Sequence, residues 1–244
     1  RGRGGLVLLL EPFHLLGVSP RDDGAAIGEA AENAVFDGTL SEATAIKAQQ
    51  ELMSPRLRLG AELGWLPGVA PSRVRALLDG GFDRALTDGL PPLAAANLAA
   101  HHCAAGGRAS PQRLVLSFHQ NSDLQEVLRD VNAERRAAGF PEATVELAEE
   151  AYEKLSKRHV DALVDGMVGR EHPGLELLEL LEDHTDCSPR LAAFLDALLE
   201  RFDAWALADI QRAHDAISEK LRAFNKNPAS IAGGGSADDL DSGD

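Results

Sequence analysis

The chain has 244 residues, 44% of them hydrophobic, and its 39 acidic against 24 basic residues give a formal net charge of −15. A chain of this size buries a sizeable core, as one domain with a smaller module, since domains usually run about 100–200 residues. Nucleic acids and anionic membranes are bound through Lys and Arg, so the acidic balance disfavours both. We expect neither as a partner.

No segment of the sequence has the pattern of a targeting or membrane-spanning helix. The apolar run at residues 6–10 is ended by Glu11 and Pro12, which leaves it short of the roughly 7–15 apolar residues of a signal peptide. No later run approaches the roughly 20 apolar residues that cross a bilayer. The two cysteines, Cys103 and Cys187, lack a CxxC spacing, which favours a reducing compartment over a disulfide framework. The sequence therefore predicts a cytoplasmic protein.

Helix signals dominate the chain and predict an all-α fold. Ala and Leu are abundant, and alternating runs of β-branched residues are nearly absent. Four Ser-Pro pairs mark helix starts, because the serine hydroxyl caps a helix and proline fits its first turn. The predicted helices cover residues 23–36, 41–53, 72–79, 81–88, 91–104, 111–119, 122–138, 141–168, 173–183 and 189–224, with one more from Pro55 to a Pro/Gly stop at 65–68.

The chain divides into four predicted regions. They are a poorly defined leader at 1–11, a small helical hairpin unit at 12–67, a larger helical bundle at 71–225, and an acidic tail at 226–244 whose composition predicts disorder. The long helix at 189–224 forms the spine of the bundle or breaks once.

Helical spacing also predicts which residues face inward. In the first two hairpin helices these are Ile27, Ala31, Ala34 and Val35, then Ala45, Ile46 and Met53. Four large aromatic residues suit the core better than a partner groove: Trp65, Phe194, Phe202 and Trp205.

The segment "FHLLGVSPRDDGAAIGEAAENA", followed by "AIKAQQELMSPRLRL", resembles the J-domain of DnaJ-type co-chaperones over about residues 12–66. The resemblance depends on the order and spacing of Leu16, Gly17, Val18, Ile27, Ala31, Ala48, Leu52, Pro55 and Arg58. Ser54-Pro55 and Arg58 stand where the family has an Asp-Pro pair and an arginine. The resemblance implies a J-domain-like unit, whereas the alternative is an unrelated helical hairpin that buries the same apolar residues.

J-domains activate Hsp70 through a His-Pro-Asp tripeptide between their second and third helices, and this sequence departs from the family there. The loop reads Phe36-Asp37-Gly38-Thr39-Leu40 without His or Pro, and Asp-Gly is a common turn pair. The preceding helix, basic in the family, has four acidic residues between 22 and 36 and no Lys or Arg. An acidic helix repels the acidic surface that the family's basic helix meets on Hsp70.

These departures predict a J-domain-like adaptor or chaperone-like protein that binds another protein without activating Hsp70. Its candidate contact is the turn formed by Phe36, Asp37, Gly38 and Thr39. Two alternatives stay open: an active Hsp70 co-chaperone with divergent contacts, and a metal-dependent enzyme built in the bundle. The His-Pro pair at 172–173 fits a helix start better than a displaced Hsp70 contact.

Two histidine-containing clusters are the basis of the enzyme alternative. His101-His102-Cys103 and the segment 184–187 contain metal-ligand types, but neighbouring residues on a helix point about 100° apart and do not readily share one ion. We expect His101, His102 and His184 to interact with the negative ends of their helices instead. The sequence has no nucleophile elbow, phosphate loop or dinucleotide fingerprint. It therefore predicts no catalytic residue, no metal and no cofactor.

Overall fold

The computed structural model describes residues 8, 11–79, 87–105, 111–168, 170–182 and 187–226. These residues contain eleven α-helices and no strand, which confirms the predicted all-α fold. The helices are α1 Pro12–Leu16, α2 Gly24–Phe36, α3 Glu42–Met53, α4 Pro55–Gly64, α5 Pro71–Asp79, α6 Pro92–Ala104, α7 Gln112–Asn121, α8 Leu124–Ala137, α9 Val145–Val168, α10 Pro173–Glu182 and α11 Pro189–Lys226. Most of the predicted helix at 81–88 and of the predicted tail lies outside the described residues. None of the described helices is both long and apolar enough to cross a bilayer.

Local capping signals explain where several helices begin. The side chains of Asp23 and Ser41 accept the backbone N–H three residues further on, at 2.9 and 3.2 Å, and so start α2 and α3. Pro55 and Pro189 occupy the first positions of α4 and α11, as predicted. Ser19-Pro20 starts no helix, because Ser19 instead lies in the α1–α2 loop, where its N–H donates to the Asp22 carboxylate at 2.7 Å.

Two apolar clusters form the core around α4. Ala61 and Trp65 belong to a first cluster with residues of α1, α2, α3, α5 and α6. Leu59 and Leu63 belong to a second cluster with residues of α6, α7, α8 and α9. Leu8 is also buried in the first cluster. Because the two faces of α4 belong to different clusters, this helix lies between the two parts of the core.

The predicted inward faces of α2 and α3 are partly wrong. Ile27, Ala31, Ala34 and Ala45 are buried, but Val35, Ile46 and Met53 are exposed. The inward residues of α3 are Ala45, Ala48 and Leu52, spaced three and four positions apart. Ile46 and Met53 each follow an inward residue by one position, and one position turns a side chain about 100° around the helix.

A charged network joins α4 to α8. Arg58 Nε and Arg135 Nη1 each donate to a different oxygen of Glu62, both at 2.7 Å, and all three side chains are at most 1% exposed. Arg58 also donates to the carbonyl of Pro20 at 2.7 Å, and its guanidinium lies 3.9 Å from the centre of the Phe140 ring. Both oxygens of the buried carboxylate are therefore bonded, each to a different guanidinium group.

An uncharged network joins the end of α4 to α6, α7 and α9. Asn97 Nδ2 donates to the carbonyls of Leu63, at 2.7 Å, and Trp65. This orientation of the amide leaves Asn97 Oδ1 to accept from His159 Nε2 at 2.8 Å. The network thereby satisfies carbonyls at the C-terminal end of α4 that have no partner within the helix.

The orientation of the Asn97 amide fixes the donor and acceptor roles in the rest of the uncharged network. Since His159 Nε2 carries the hydrogen, His159 Nδ1 accepts, and its partner at 3.1 Å is His119 Nε2. His119 Nδ1 then accepts from the Tyr152 hydroxyl at 2.6 Å. Burial lowers the pKa of His119 to about 3 and that of His159 well below its usual range. Both rings are therefore neutral near pH 7, as the hydrogen bonds require.

The chain divides into two compact units, Arg1–Leu199 and Glu200–Asp244. Both core clusters and both buried networks lie in the first unit, where Trp65 and Phe194 are buried as predicted. In the second unit, the rings of Phe202 and Trp205 lie 5.3 Å apart and are half-buried. Helix α11 runs without a break from Pro189 to Lys226 and so spans the boundary between the units.

Candidate functional site

The predicted contact turn is a hydrogen-bonded connection between α2 and α3. The carbonyl of Ala34 accepts the backbone N–H of Thr39 at 3.0 Å and its hydroxyl at 2.9 Å. Gly38 has a φ of +67°, a left-handed conformation that glycine adopts without strain and that commonly ends a helix. These bonds fix the shape of the turn.

Phe36, at the end of α2, is 90% exposed. Asp37, Gly38 and Thr39 are exposed beside it, and we call these four residues the hairpin tip. An exposed aromatic ring on a fixed turn suits a protein contact, because it buries a large apolar area with few rotatable bonds. Helix α2 exposes Glu29 and Glu32 and contains no basic residue, so an acidic helix leads to the hairpin tip.

The residues that carry the J-domain resemblance occupy different environments. Leu16, Ile27, Ala31, Ala48, Leu52 and Arg58 are buried, Val18 is half-buried, and Gly17 and Pro55 are exposed. Gly17 ends α1 with a φ of +67°. The apolar members belong to the first core cluster, whereas Arg58 belongs to the charged network. The buried members of this set form the support of the hairpin.

A groove of about 520 Å³ lies beside α8, and we call it the acidic groove. Its apolar surface comes mainly from α6, α7 and α8, through Leu93, Leu114, Phe118 and Val127. Its acidic residues are Asp123, Glu126, Asp130 and Glu134, and the segment 67–68 and Arg21 also line it. The groove therefore combines an apolar floor with one wall of carboxylates.

The charges of the acidic groove are unequal. Glu134 is buried, accepts the backbone N–H of Gly68 at 2.9 Å, and has its pKa raised chiefly by burial. Glu126 and Asp130 are exposed and share one neighbour, Arg129, at 3.1 and 3.8 Å. Arg21 is the one basic residue among those that line the groove, and its Nε lies 4.0 Å from Glu134. Acidic side chains therefore outnumber basic ones in the lining of the groove.

The histidines do not behave as the sequence predicted. His101 and His102 are buried in α6, where burial lowers the pKa of His101 to about 4 and also lowers that of His102. Both are neutral near pH 7, so the predicted charge interaction with the helix end is wrong. His184 lies outside the described residues. Within the described ranges, no three His, Cys, Asp or Glu side chains are placed to hold a metal ion.

Sequence reasoning predicted the hairpin tip but missed the acidic groove. The four acidic residues of the groove wall stand at steps of three, four and four along α8, which places them on one helical face. That spacing is a usable signal in the sequence. It was insufficient because the apolar floor comes from other helices, which the spacing does not identify.

No protein-family model matches this chain, and neither does any curated protein or solved structure.

Proposed function

We propose that this protein is a non-catalytic, J-domain-like adaptor that binds a basic, amphipathic segment of another protein and does not activate Hsp70. The acidic groove is the observation that carries this proposal. Its apolar floor matches the apolar side of such a segment, and its carboxylates match the basic side. A volume of about 520 Å³ takes several side chains of a bound segment.

The hairpin tip supports the second part of the proposal. The loop that contains His-Pro-Asp in J-domains contains Phe36, Asp37, Gly38 and Thr39 here, and α2 exposes carboxylates instead of basic side chains. An acidic Hsp70 surface is repelled by such a helix. We propose that the exposed ring of Phe36 is a second protein contact, separate from the groove.

Binding of designed peptides to the full chain tests the groove. The probes are amphipathic peptides that share one apolar face and carry Lys, Gln or Glu on the other face, with fluorescence anisotropy as the measurement. We expect the Lys peptide to bind about tenfold more tightly than the Gln peptide, a difference of about 1.4 kcal/mol, and the Glu peptide to bind most weakly. Equal binding of the Lys and Gln peptides would contradict the proposal.

A matched pair of double variants locates the binding site. Glu126→Gln with Asp130→Asn removes two carboxylates of the groove, and Glu149→Gln with Glu153→Gln removes two exposed carboxylates from α9 at the same spacing. We expect the first variant to bind the Lys peptide about tenfold more weakly and the second to bind as wild type does. Equal losses in both would mean that net charge, and not the groove, attracts the peptide.

A steady-state Hsp70 ATPase assay separates the adaptor from an active co-chaperone. We expect the full chain to leave the ATPase rate unchanged, while a J-domain that contains His-Pro-Asp stimulates it in the same assay. Stimulation by this chain that disappears in the Asp37→Asn variant would overturn the adaptor proposal and favour a co-chaperone with divergent contacts.

A further inference from the structure

The second unit contains a helix face whose large apolar residues are exposed. Leu207, Ile210, Ile217 and Leu221 of α11 are between 57% and 69% exposed, and His214 between them is exposed as well. Their positions alternate in steps of three and four residues, which is the spacing of the core positions in a coiled coil. We call these five residues the heptad stripe.

The residues that flank the heptad stripe include no acidic side chain. They are Ala206, Gln211, Ala213, Ser218 and Lys220. The acidic residues between 207 and 221 are Asp209, Asp215 and Glu219, and all three lie at positions that face away from a coiled-coil partner. Two of them are bonded along their own helix: Arg212 donates to Asp209 at 3.0 Å, and Gln211 donates to Asp215 at 2.8 Å.

We propose that the heptad stripe is a self-association surface, and that its occupant is the same stripe of a second copy of this chain in a two-stranded coiled coil. Opposite charges on the flanks of a coiled coil set the choice of partner. Lys220 is the one charged residue on these flanks, so the flanks do not select a strongly charged partner over a second copy of the chain. A chain with a net charge of −15 repels its own copies. Flanks without acidic residues reduce that repulsion along the contact itself.

His214 has a specific place in this coiled coil. It occupies a core position between the apolar pairs of the heptad stripe, and a polar residue at one core position sets the register of the helices while weakening their association. The variant His214→Leu fills this position with an apolar side chain, so it should strengthen the dimer. This gain gives the proposal a test that does not depend on disrupting the helix.

Sedimentation equilibrium of the full chain over a concentration series tests the proposal. We expect wild type to show a reversible monomer–dimer equilibrium, Ile217→Asp to weaken it at least about tenfold, and His214→Leu to strengthen it about tenfold. The matched control is Ala216→Asp, which adds the same charge one residue away at an outward position and should leave the dimer unchanged. Far-UV circular dichroism establishes that each variant keeps its helix.

Three outcomes would overturn the proposal. One is a wild-type chain that stays monomeric at every concentration, even if a helix of another protein binds the stripe. Another is equal weakening by Ile217→Asp and Ala216→Asp, which would attribute the effect to charge alone. The third is a His214→Leu variant that associates no more tightly than wild type. Binding of the Lys peptide to the acidic groove is independent of all three, because the groove lies in the first unit.

Discussion

Within α4, the guanidinium groups of Arg58 and Arg135 hold the carboxylate of Glu62. At the end of the helix, Asn97 donates to two backbone carbonyls and accepts from the uncharged ring of His159. Both networks are buried and both connect α4 to helices far along the chain. The charged network is vulnerable to the removal of a partner, because that leaves a buried charge unpaired. The uncharged network is vulnerable to the addition of a proton, because each ring nitrogen already has a fixed role as donor or acceptor.

Removal of Glu62 should give the largest effect. The variant Glu62→Gln keeps the shape of the side chain but leaves the guanidinium groups of Arg58 and Arg135 without a negative partner in the core. We expect the free energy of unfolding to fall by about 3–5 kcal/mol, measured by urea denaturation with fluorescence detection.

The matched control is Glu150→Gln, which breaks the pair between Glu150 and Arg56 that is formed at 2.7 Å on the surface. That pair is exposed, so water already solvates both charges and its loss should change stability little. If the two variants lost similar stability, the buried network would contribute no more than a surface ion pair.

Glu11 is another buried carboxylate. One guanidinium group reaches it, whereas two reach Glu62. Arg158 donates to one of its oxygens, and the other oxygen has no hydrogen-bond partner among the described residues. Burial outweighs the attraction of Arg158 and raises the pKa of Glu11 from 4.5 to about 7. Glu62, with both oxygens bonded, has its pKa raised by burial as well, but two guanidinium groups oppose the shift.

The raised pKa makes a prediction about pH. A carboxyl whose pKa is higher in the folded than in the unfolded state stabilises the fold while it is protonated, and this stability is lost as the pH rises through about 7. From pH 5 to pH 8, the free energy of unfolding of wild type should fall by roughly 2–3 kcal/mol relative to that of the Glu11→Gln variant, in which residue 11 does not titrate. Urea denaturation at several pH values measures the difference, and parallel pH profiles would show that Glu11 ionises freely in the fold.

Local signals in the sequence predicted part of this architecture. The starts of α2, α3 and α4 follow from Asp23, Ser41 and Pro55, because capping depends on residues within one turn of the helix. The hairpin tip was predictable for the same reason, since an Asp-Gly turn between two helical patterns is a local signal.

The networks and the acidic groove were not predictable in this way. The J-domain resemblance identifies Arg58, but the network of Arg58 depends on Arg135, which lies 73 positions from Glu62. His119 and His159 are 40 positions apart, and nothing in the spacing of either indicates the other. Long-range pairs of this kind are determined by how the helices pack, and helical periodicity alone identifies the face of a helix but not its neighbour.

A third stability experiment tests the uncharged network by adding protons, and its expected effect is smaller than those at Glu62 and Glu11. A histidine whose pKa is lower in the folded than in the unfolded state keeps its full contribution above about pH 6.5 and loses it as the pH falls toward the folded value, which is about 3 for His119. The variant His119→Phe keeps a ring in the stack against Phe194, where the ring centres are 4.0 Å apart, and removes the titrating group. From pH 7 to pH 5, wild type should lose about 2 kcal/mol more stability than this variant does.

The control for this experiment is Tyr152→Phe. It removes the hydroxyl that donates to His119 Nδ1, so it should lower stability at pH 7 by about 1 kcal/mol. It leaves both histidines in place, however, and should therefore keep the wild-type loss of stability between pH 7 and pH 5. A flattened pH profile in Tyr152→Phe, or an unchanged one in His119→Phe, would mean that the acid sensitivity of this fold comes from groups outside the network. The two variants together distinguish the effect of a lost hydrogen bond from the effect of an added proton. The charged network around α4 is vulnerable to the loss of a partner, and the uncharged network is vulnerable to the added proton.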